Sequence, residues 1–184
     1  MDLQTIIKAC KRDNLKAQSQ LYKCYKDDLY LLCLKYCKNK EEAQDNLQDS
    51  FLEIFDKMKS YKGTGSFEGW MKRTTIHKAI DKYNKSKTVN IEINDVLLED
   101  ITINNEILES ISLDDILNQI QELPTRYRMV FSLYELDQYA HKDIAELLHI
   151  NINTSKSNLH RTKRLLKQKR LDIHPLLSKT NINK

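Results

Sequence analysis

Between Thr154 and Arg170 the chain carries seven basic residues and no acidic one. Lys156, Ser157, Asn158, His160 and Arg161 fall in the first two turns of the helix that this segment predicts. Side chains of these types, at the N-terminal end of a helix, are what a major groove accepts as donors to base edges. Lys163, Arg164, Lys167, Lys169 and Arg170 come later, where a helix leaving the groove meets phosphates. A second constellation lies at residues 61–70, YKGTGSFEGW, which holds all three glycines of the chain (Gly63, Gly65, Gly69) and its only tryptophan, Trp70. Glycines let a backbone approach a base or phosphate closely. Phe67 and Trp70 offer stacking surface, worth roughly 1–3 kcal/mol per base. Lys59, Lys62, Lys72, Arg73 and Lys78 add charge for a nucleic-acid backbone. GTGSFEG lacks the GxxxxGK[ST] pattern of a nucleotide loop. The plainer readings are a basic helix packed on its own bundle and a helix-breaking loop anchored by a buried Trp.

Charge placement strengthens the first pair of readings. The net charge is only +4. From Lys57 to Lys87, however, nine basic residues stand against two acidic ones, Glu68 and Asp81. From Thr88 to Asp115 there are eight acidic residues and no basic one. Two cationic blocks separated by an anionic spacer predict two polyanion contacts on one chain.

The elements that must position these residues are helical. Hydrophobic residues make up 40% and charged residues 30% of 184, which suits small helical units with much exposed surface. Three glycines and two prolines are too few for the turns of a β-rich protein. Leu21, Tyr25, Leu29, Leu32 and Tyr36 form one amphipathic stripe, and Ala43, Leu47, Phe51, Ile54 and Met58 form another. A third helix is expected from Trp70 to about Lys85, with Trp70, Arg73, Thr74, His77 and Asp81 near one face. A short helix around Leu3–Cys10 completes an all-α bundle ending near Lys87. Residues 88–114 read as an acidic linker. A second unit, 115–184, opens at an N-cap, Asp114 or Asp115, followed by DDILNQIQEL. Pro124 then starts a helix with Tyr127, Val130, Phe131 and Tyr134 on its apolar face. A helix from about His141 to Leu148 buries Ile144, Ala145 and Leu148. After the turn HINI, Asn153 or Thr154 caps a helix running to about Gln168, and small Ala145 allows the close crossing of a helix-turn-helix.

The chain resembles bacterial RNA polymerase sigma factors of the extracytoplasmic-function (ECF) class, from about Leu15 to Lys169. The motifs that carry the resemblance are AQDNLQDSF, Phe67 with Trp70, then Leu123-Pro124, Arg128, Val130-Phe131 and Leu133, then Ile144-Ala145 and Leu148. His149 stands where the family has a turn glycine, and Ser155 where it has an apolar residue. His77 and Asn84 stand where it has Asn and Arg. These departures bear on promoter preference rather than on class.

The resemblance implies two small helical domains and a dissociable initiation factor. Residues 1–87 would bind core RNA polymerase and the −10 element; residues 115–184 would bind the −35 element. It places Asp45, Gln48 and Asp49 against the clamp coiled coil of the largest polymerase subunits, on a helix face read as opposite Leu47, Phe51 and Ile54. It places Lys62, Phe67, Trp70, Arg73 and His77 at the −10 element, with a base pulled from the stack and held. Thr154, Lys156, Ser157, Asn158, Arg161 and Arg164 fall at the −35 element. An anti-sigma partner is expected for this class. A stand-alone helix-turn-helix regulator is the alternative; it predicts a palindromic site and tight duplex binding without polymerase. An all-α enzyme or metal sensor built on Cys10, Cys24, Cys33 and Cys37 is a third reading, with Cys33 and Cys37 four apart on a helix as its metal or redox pair; but there is no CxxC pair and no Cys–His grouping at finger spacing, so buried thiols are expected. No nucleophile–base grouping points to an enzyme, and no cofactor is implied. No apolar run approaches the ~20 residues that cross a bilayer. The N-terminus lacks the order of a signal peptide, so a cytoplasmic location without membrane insertion is expected.

Overall fold

A computed structural model describes residues 2–89 and 112–168, and every regular element among them is helical. The chain divides into two compact units, Met1–Lys82 and Tyr83–Lys184.

The first unit contains α1 (Leu3–Cys10), α2 (Leu15–Tyr36), α3 (Lys40–Asp56), a 3-10 turn (Lys57–Ser60) and most of α4 (Phe67–Val89). Short polar side chains start the first three helices. Asp2, Asn14 and Asn39 accept from the backbone N–H groups of Thr5, Ala17 and Glu42 at 3.0, 3.0 and 2.8 Å. Such caps contribute about 1 kcal/mol each. The stripes read from the sequence turn inward: Leu21, Leu29, Ala43, Ile54 and Met58 are fully buried, joined by Cys10 and Met71. Helix α4 begins three residues before the expected Trp70. Ser66 nucleates it, its hydroxyl accepting from Gly69 N–H (3.3 Å) and its carbonyl from Trp70 N–H (3.0 Å).

The second unit holds α5 (Leu113–Gln121), α6 (Thr125–Phe131), a π turn (Ser132–Leu136), α7 (His141–Leu148) and α8 (Ile152–Gln168). Ser112, not Asp114 or Asp115, caps α5. Its hydroxyl accepts from Asp115 N–H (3.1 Å) while the Asp115 carboxylate accepts from Ser112 N–H (3.2 Å), a reciprocal capping box. Pro124 precedes α6 as its N-cap. Arg128 is 2% exposed, and its guanidinium donates to the carbonyls of Gln121 (2.8 Å) and Leu123 (2.9 Å). It thereby satisfies carbonyls that the end of α5 would otherwise leave without acceptable partners. Ile120, Tyr127, Val130, Leu133, Ile144 and Leu148 form the core around it.

Helix α7 spans the expected residues and ends at His149, which adopts the left-handed conformation (φ 51°, ψ 51°) that a glycine takes most easily. The cap of α8 lies two or three residues earlier than expected. Asn151 accepts from Thr154 N–H at 2.7 Å, so Asn153 and Thr154 are already helical. The two ends of the expected linker 88–114 are helical instead, residues 88–89 closing α4 and residues 112–114 forming the cap and start of α5; its remainder, 90–111, and Lys169 and Arg170 lie outside the described residues.

Candidate nucleic-acid interface

In the first unit the sequence YKGTGSFEGW builds a loop and a helix start around four rings. Gly63 and Gly65 both have φ of 77°, a region that side-chain-bearing residues avoid. Gly69 is helical with ordinary room for a Cβ, so its glycine is not required by space. Phe67 is buried at 5% exposure, whereas Trp70 is half-buried. The Phe67 ring stacks on Trp70 at 5.6 Å and takes the edge of Tyr25 at 6.4 Å. Tyr61 packs 5.1 Å from both Phe67 and Trp70.

Phe67 was expected to offer its face to a base; it instead supports Trp70 from below, because position 67 falls on the inward side of α4 with Met71. Trp70, Arg73 and His77 follow at spacings of three and four on one face of α4, Trp70 partly open and the other two exposed. Lys62 is exposed on the loop.

Three of the five expected backbone cations are engaged within the protein. Lys59 pairs with Asp13 (2.6 Å), Lys72 with Glu68 (2.5 Å) and Lys78 with Glu53 (2.6 Å). Glu53 also accepts from Lys57 (2.6 Å), and the two ammonium groups, Lys57 first, hold its carboxyl below the usual range. Lys62 and Arg73 form no ion pair among the described residues.

Helix α3 presents Asp45 and Gln48, both exposed, on the rim of a groove of about 580 Å³ between α2 and α3. The same groove is lined by Tyr22, Tyr30, Leu47, Phe51 and Leu52. Asp45 and Gln48 therefore border Leu47 and Phe51 rather than lying opposite them, since α2 leaves that flank of α3 partly open. Asp49 is turned away toward α4, where its carboxylate pairs with Lys82 at 2.7 Å.

In the second unit α8 has an inward stripe of Ser155, Asn158, Leu159, Thr162 and Leu166. Asn158 was expected at a base edge; helical spacing from Ser155 to Thr162 puts it inside at 7% exposure. Lys156, Ser157, His160 and Arg161 are exposed, while Thr154 and Arg164 are half-buried. Lys163, half-exposed, pairs with Glu135 of the π turn at 2.7 Å.

Two polar residues occupy positions where apolar ones would pack. Thr162 Oγ1 donates to the carbonyl of Asn158 (2.8 Å), and Ser155, fully buried, lies with its Oγ 2.9 Å from Nδ1 of His141. The His141 ring in turn stacks on Tyr134 at 4.3 Å and 20°. Burial first, then the Lys156 charge, holds the His141 pKa below its ordinary value.

The four thiols are free. Cys10, Cys33 and Cys37 are buried and Cys24 is exposed. Burial pushes the Cys33 thiol up to about 11, so it stays protonated at neutral pH. Among the described residues no group of three or more His, Cys, Asp or Glu could hold a metal. No described helix is long and apolar enough to cross a membrane.

The sequence reading gave Tyr61, Lys11 and His141 no role and took Tyr134 only as part of an apolar face. For Tyr61 and His141 a signal existed: Tyr61 is the aromatic that opens the glycine stretch, and His141 is a polar ring at the start of α7.

An aromatic-backed glycine loop on one helical unit and a basic helix-turn-helix on another define a two-part DNA-binding protein. Residues 21–88 match the family model described as sigma-70 region 2, and residues 113–166 match the one described as sigma-70, region 4. The chain belongs to the sigma-70 family and is an RNA polymerase sigma factor of the ECF class. It is 26% identical over 185 residues to the ECF RNA polymerase sigma factor SigW of Bacillus subtilis, covering 94% of this chain and 99% of that one. It is 24% identical to the ECF RNA polymerase sigma-E factor of Haemophilus influenzae, over 95% and 96% of the two chains. Among solved structures, the sigma factor RpoE of Bartonella quintana, crystallised with the anti-sigma factor NepR, shares the fold. Its TM-score is 0.51 at 19% identity, over 86% of this chain and 99% of that one. Matches to both regions disfavour a stand-alone helix-turn-helix regulator.

Proposed function

We propose that the two units divide promoter recognition as the family resemblance implies. Residues 1–87 bind core RNA polymerase and open DNA at the −10 element; residues 115–184 read the −35 element. The observation that carries this reading is the exposed face Trp70, Arg73 and His77 above a ring-backed glycine loop. That surface suits an unstacked base far better than an intact duplex. Lys62 contributes backbone charge, and Phe67 acts by holding Trp70.

On α8 the exposed Lys156, Ser157 and Arg161 face base edges, Thr154 and Arg164 sit beside the phosphates, and Asn158 serves from inside. Asp45 and Gln48 dock on core polymerase beside the groove between α2 and α3, with Asp49 fixing that face through Lys82. The factor works in the cytoplasm without membrane insertion and performs no covalent chemistry. An anti-sigma protein holds it inactive, as NepR binds the Bartonella quintana factor.

Between α4 and α5 the 22 residues 90–111 serve as an acidic spacer that reaches at most ~75 Å, about 22 base pairs. Their charge repels DNA, so the free factor binds promoters weakly until core polymerase engages it. Run-off transcription with reconstituted holoenzyme, beside promoter binding with and without core, tests the whole reading. Promoter affinity that is equally tight without core, with no transcript from holoenzyme, overturns it.

A further inference from the structure

The loop 62–66 carries two glycines in a left-handed conformation, and nothing in its own sequence makes it stiff. Gly loses more freedom on ordering than any other residue, so a glycine loop that must receive a base needs outside support. That support comes from Tyr61 and from a residue fifty positions earlier. The Lys11 ammonium donates to the Tyr61 carbonyl at 2.6 Å and lies 5.7 Å from the centre of the Tyr61 ring. The Tyr61 hydroxyl donates across the loop to the Gly65 carbonyl at 3.3 Å. The Tyr61 ring is the wall against which both Phe67 and Trp70 pack. One shoulder of the loop is tied to the same α1–α2 turn by the Lys59–Asp13 pair.

We infer that Lys11 and Tyr61 are positioning residues that hold the Gly63–Gly65 loop and Trp70 in shape before single-stranded DNA arrives. Lys11 acts from the end of α1 through the Tyr61 carbonyl, not through DNA. The inference rests on the proposed −10 role of Trp70. It extends control of promoter opening to a part of the chain outside the glycine loop and α4.

The lone tryptophan gives a direct readout. In the full chain, Lys11→Met keeps the apolar stem and removes only the ammonium. Acrylamide quenching of Trp70 emission is expected to rise in this variant. With the same variant in holoenzyme, permanganate footprinting at the −10 thymines is expected to show opening slowed roughly three- to tenfold. Core affinity stays unchanged, and Lys11→Arg, which still donates to a carbonyl, retains most of the rate. Tyr61→Phe keeps the ring and removes the hydroxyl; it is expected to slow opening about two- to threefold, which keeps the test alive if Lys11→Met fails to fold. Trp70→Ala separates the two levels of the reading. If it opens promoters normally, the −10 role itself fails. If it is impaired while Lys11→Met and Tyr61→Phe change neither quenching nor opening, the brace alone is overturned. A Lys11→Met defect that merely follows weakened core binding overturns it as well.

Discussion

At the glycine loop the candidate DNA surface is held by rings, with Phe67, Tyr61 and Tyr25 behind a half-open Trp70. Along α8 it is held by polar groups, with Ser155, Asn158 and Thr162 buried on the inward stripe and His141 reaching Ser155. Ring packing is broad and tolerant: losing one contact removes some area and leaves no polar atom stranded. A buried hydrogen bond is narrow, because losing one partner leaves the other without water or a substitute. The first surface is therefore adjustable by function-directed changes, whereas on the second many changes register first as lost stability.

The contrast breaks most visibly at Arg128. Replacing it with Met removes its hydrogen bonds to the carbonyls of Gln121 and the buried Leu123 and is expected to destabilise the second unit by about 3 kcal/mol. Urea unfolding followed by circular dichroism should show one unit melting early, while Trp70 emission reports the first unit intact. Simultaneous loss of both would mean that the units do not fold separately.

Next in size comes a paired change on α8. Arg161→Ala is expected to cost about 1–3 kcal/mol at the preferred −35 sequence and to relax discrimination at one position. Asn158→Ala, on the inward stripe, should lower the melting temperature and weaken every promoter alike. Holoenzyme binding to a panel of −35 variants checks both; a base-specific effect from Asn158 would place it in the groove after all.

A smaller effect concerns acid. A histidine whose folded pKa is depressed loses stability as the pH falls. Its contribution is complete above the unfolded value of about 6.5 and declines as the pH drops through the folded one. The groups around the ring are Tyr134 on the π turn and Lys156 on α8, and the N-terminus of α7 adds a further disfavour for positive charge. Glu135, the nearby acid on the π turn, is engaged with Lys163. Calorimetry between pH 7.5 and 5 should therefore show the second unit losing more stability in the natural chain than in His141→Phe/Ser155→Val. Equal slopes would show that this contact does not sense protons.

The smallest change is expected from Lys59→Ala. Both partners of its pair with Asp13 are largely exposed, so stability should shift by no more than about 0.5 kcal/mol. A larger loss would promote this pair from an accessory to a principal tie of the loop.

The helices were legible because period and capping are local properties. The stripes of α2 and α3 and the span of α7 follow from spacing alone. The start of α4 and the cap of α8 were missed by two or three residues, since Ser66 and Asn151 do their work through single short contacts that the pattern of apolar residues does not mark. At the candidate sites residue type was legible and direction was not. Phe67 and Asn158 have the right chemistry for DNA, but one turn of helix decides whether a side chain faces a base or the core. The Lys11–Tyr61 contact joins positions fifty apart and has no signature in sequence.

His149 gives the helix-turn-helix corner an unusual residue for its angle. A left-handed residue other than glycine costs about 1–2 kcal/mol, somewhat less for His than for most. The corner between α7 and α8 is thus bent against the preference of its own residue, and the packed helices dictate to the corner. A single exchange of His149 for Gly should add about 0.5–1 kcal/mol of stability, the relieved strain outweighing the extra freedom of an unfolded glycine. The chain lives one codon change away from a sturdier hinge, with thermal headroom left unused at a place where headroom is easy to obtain.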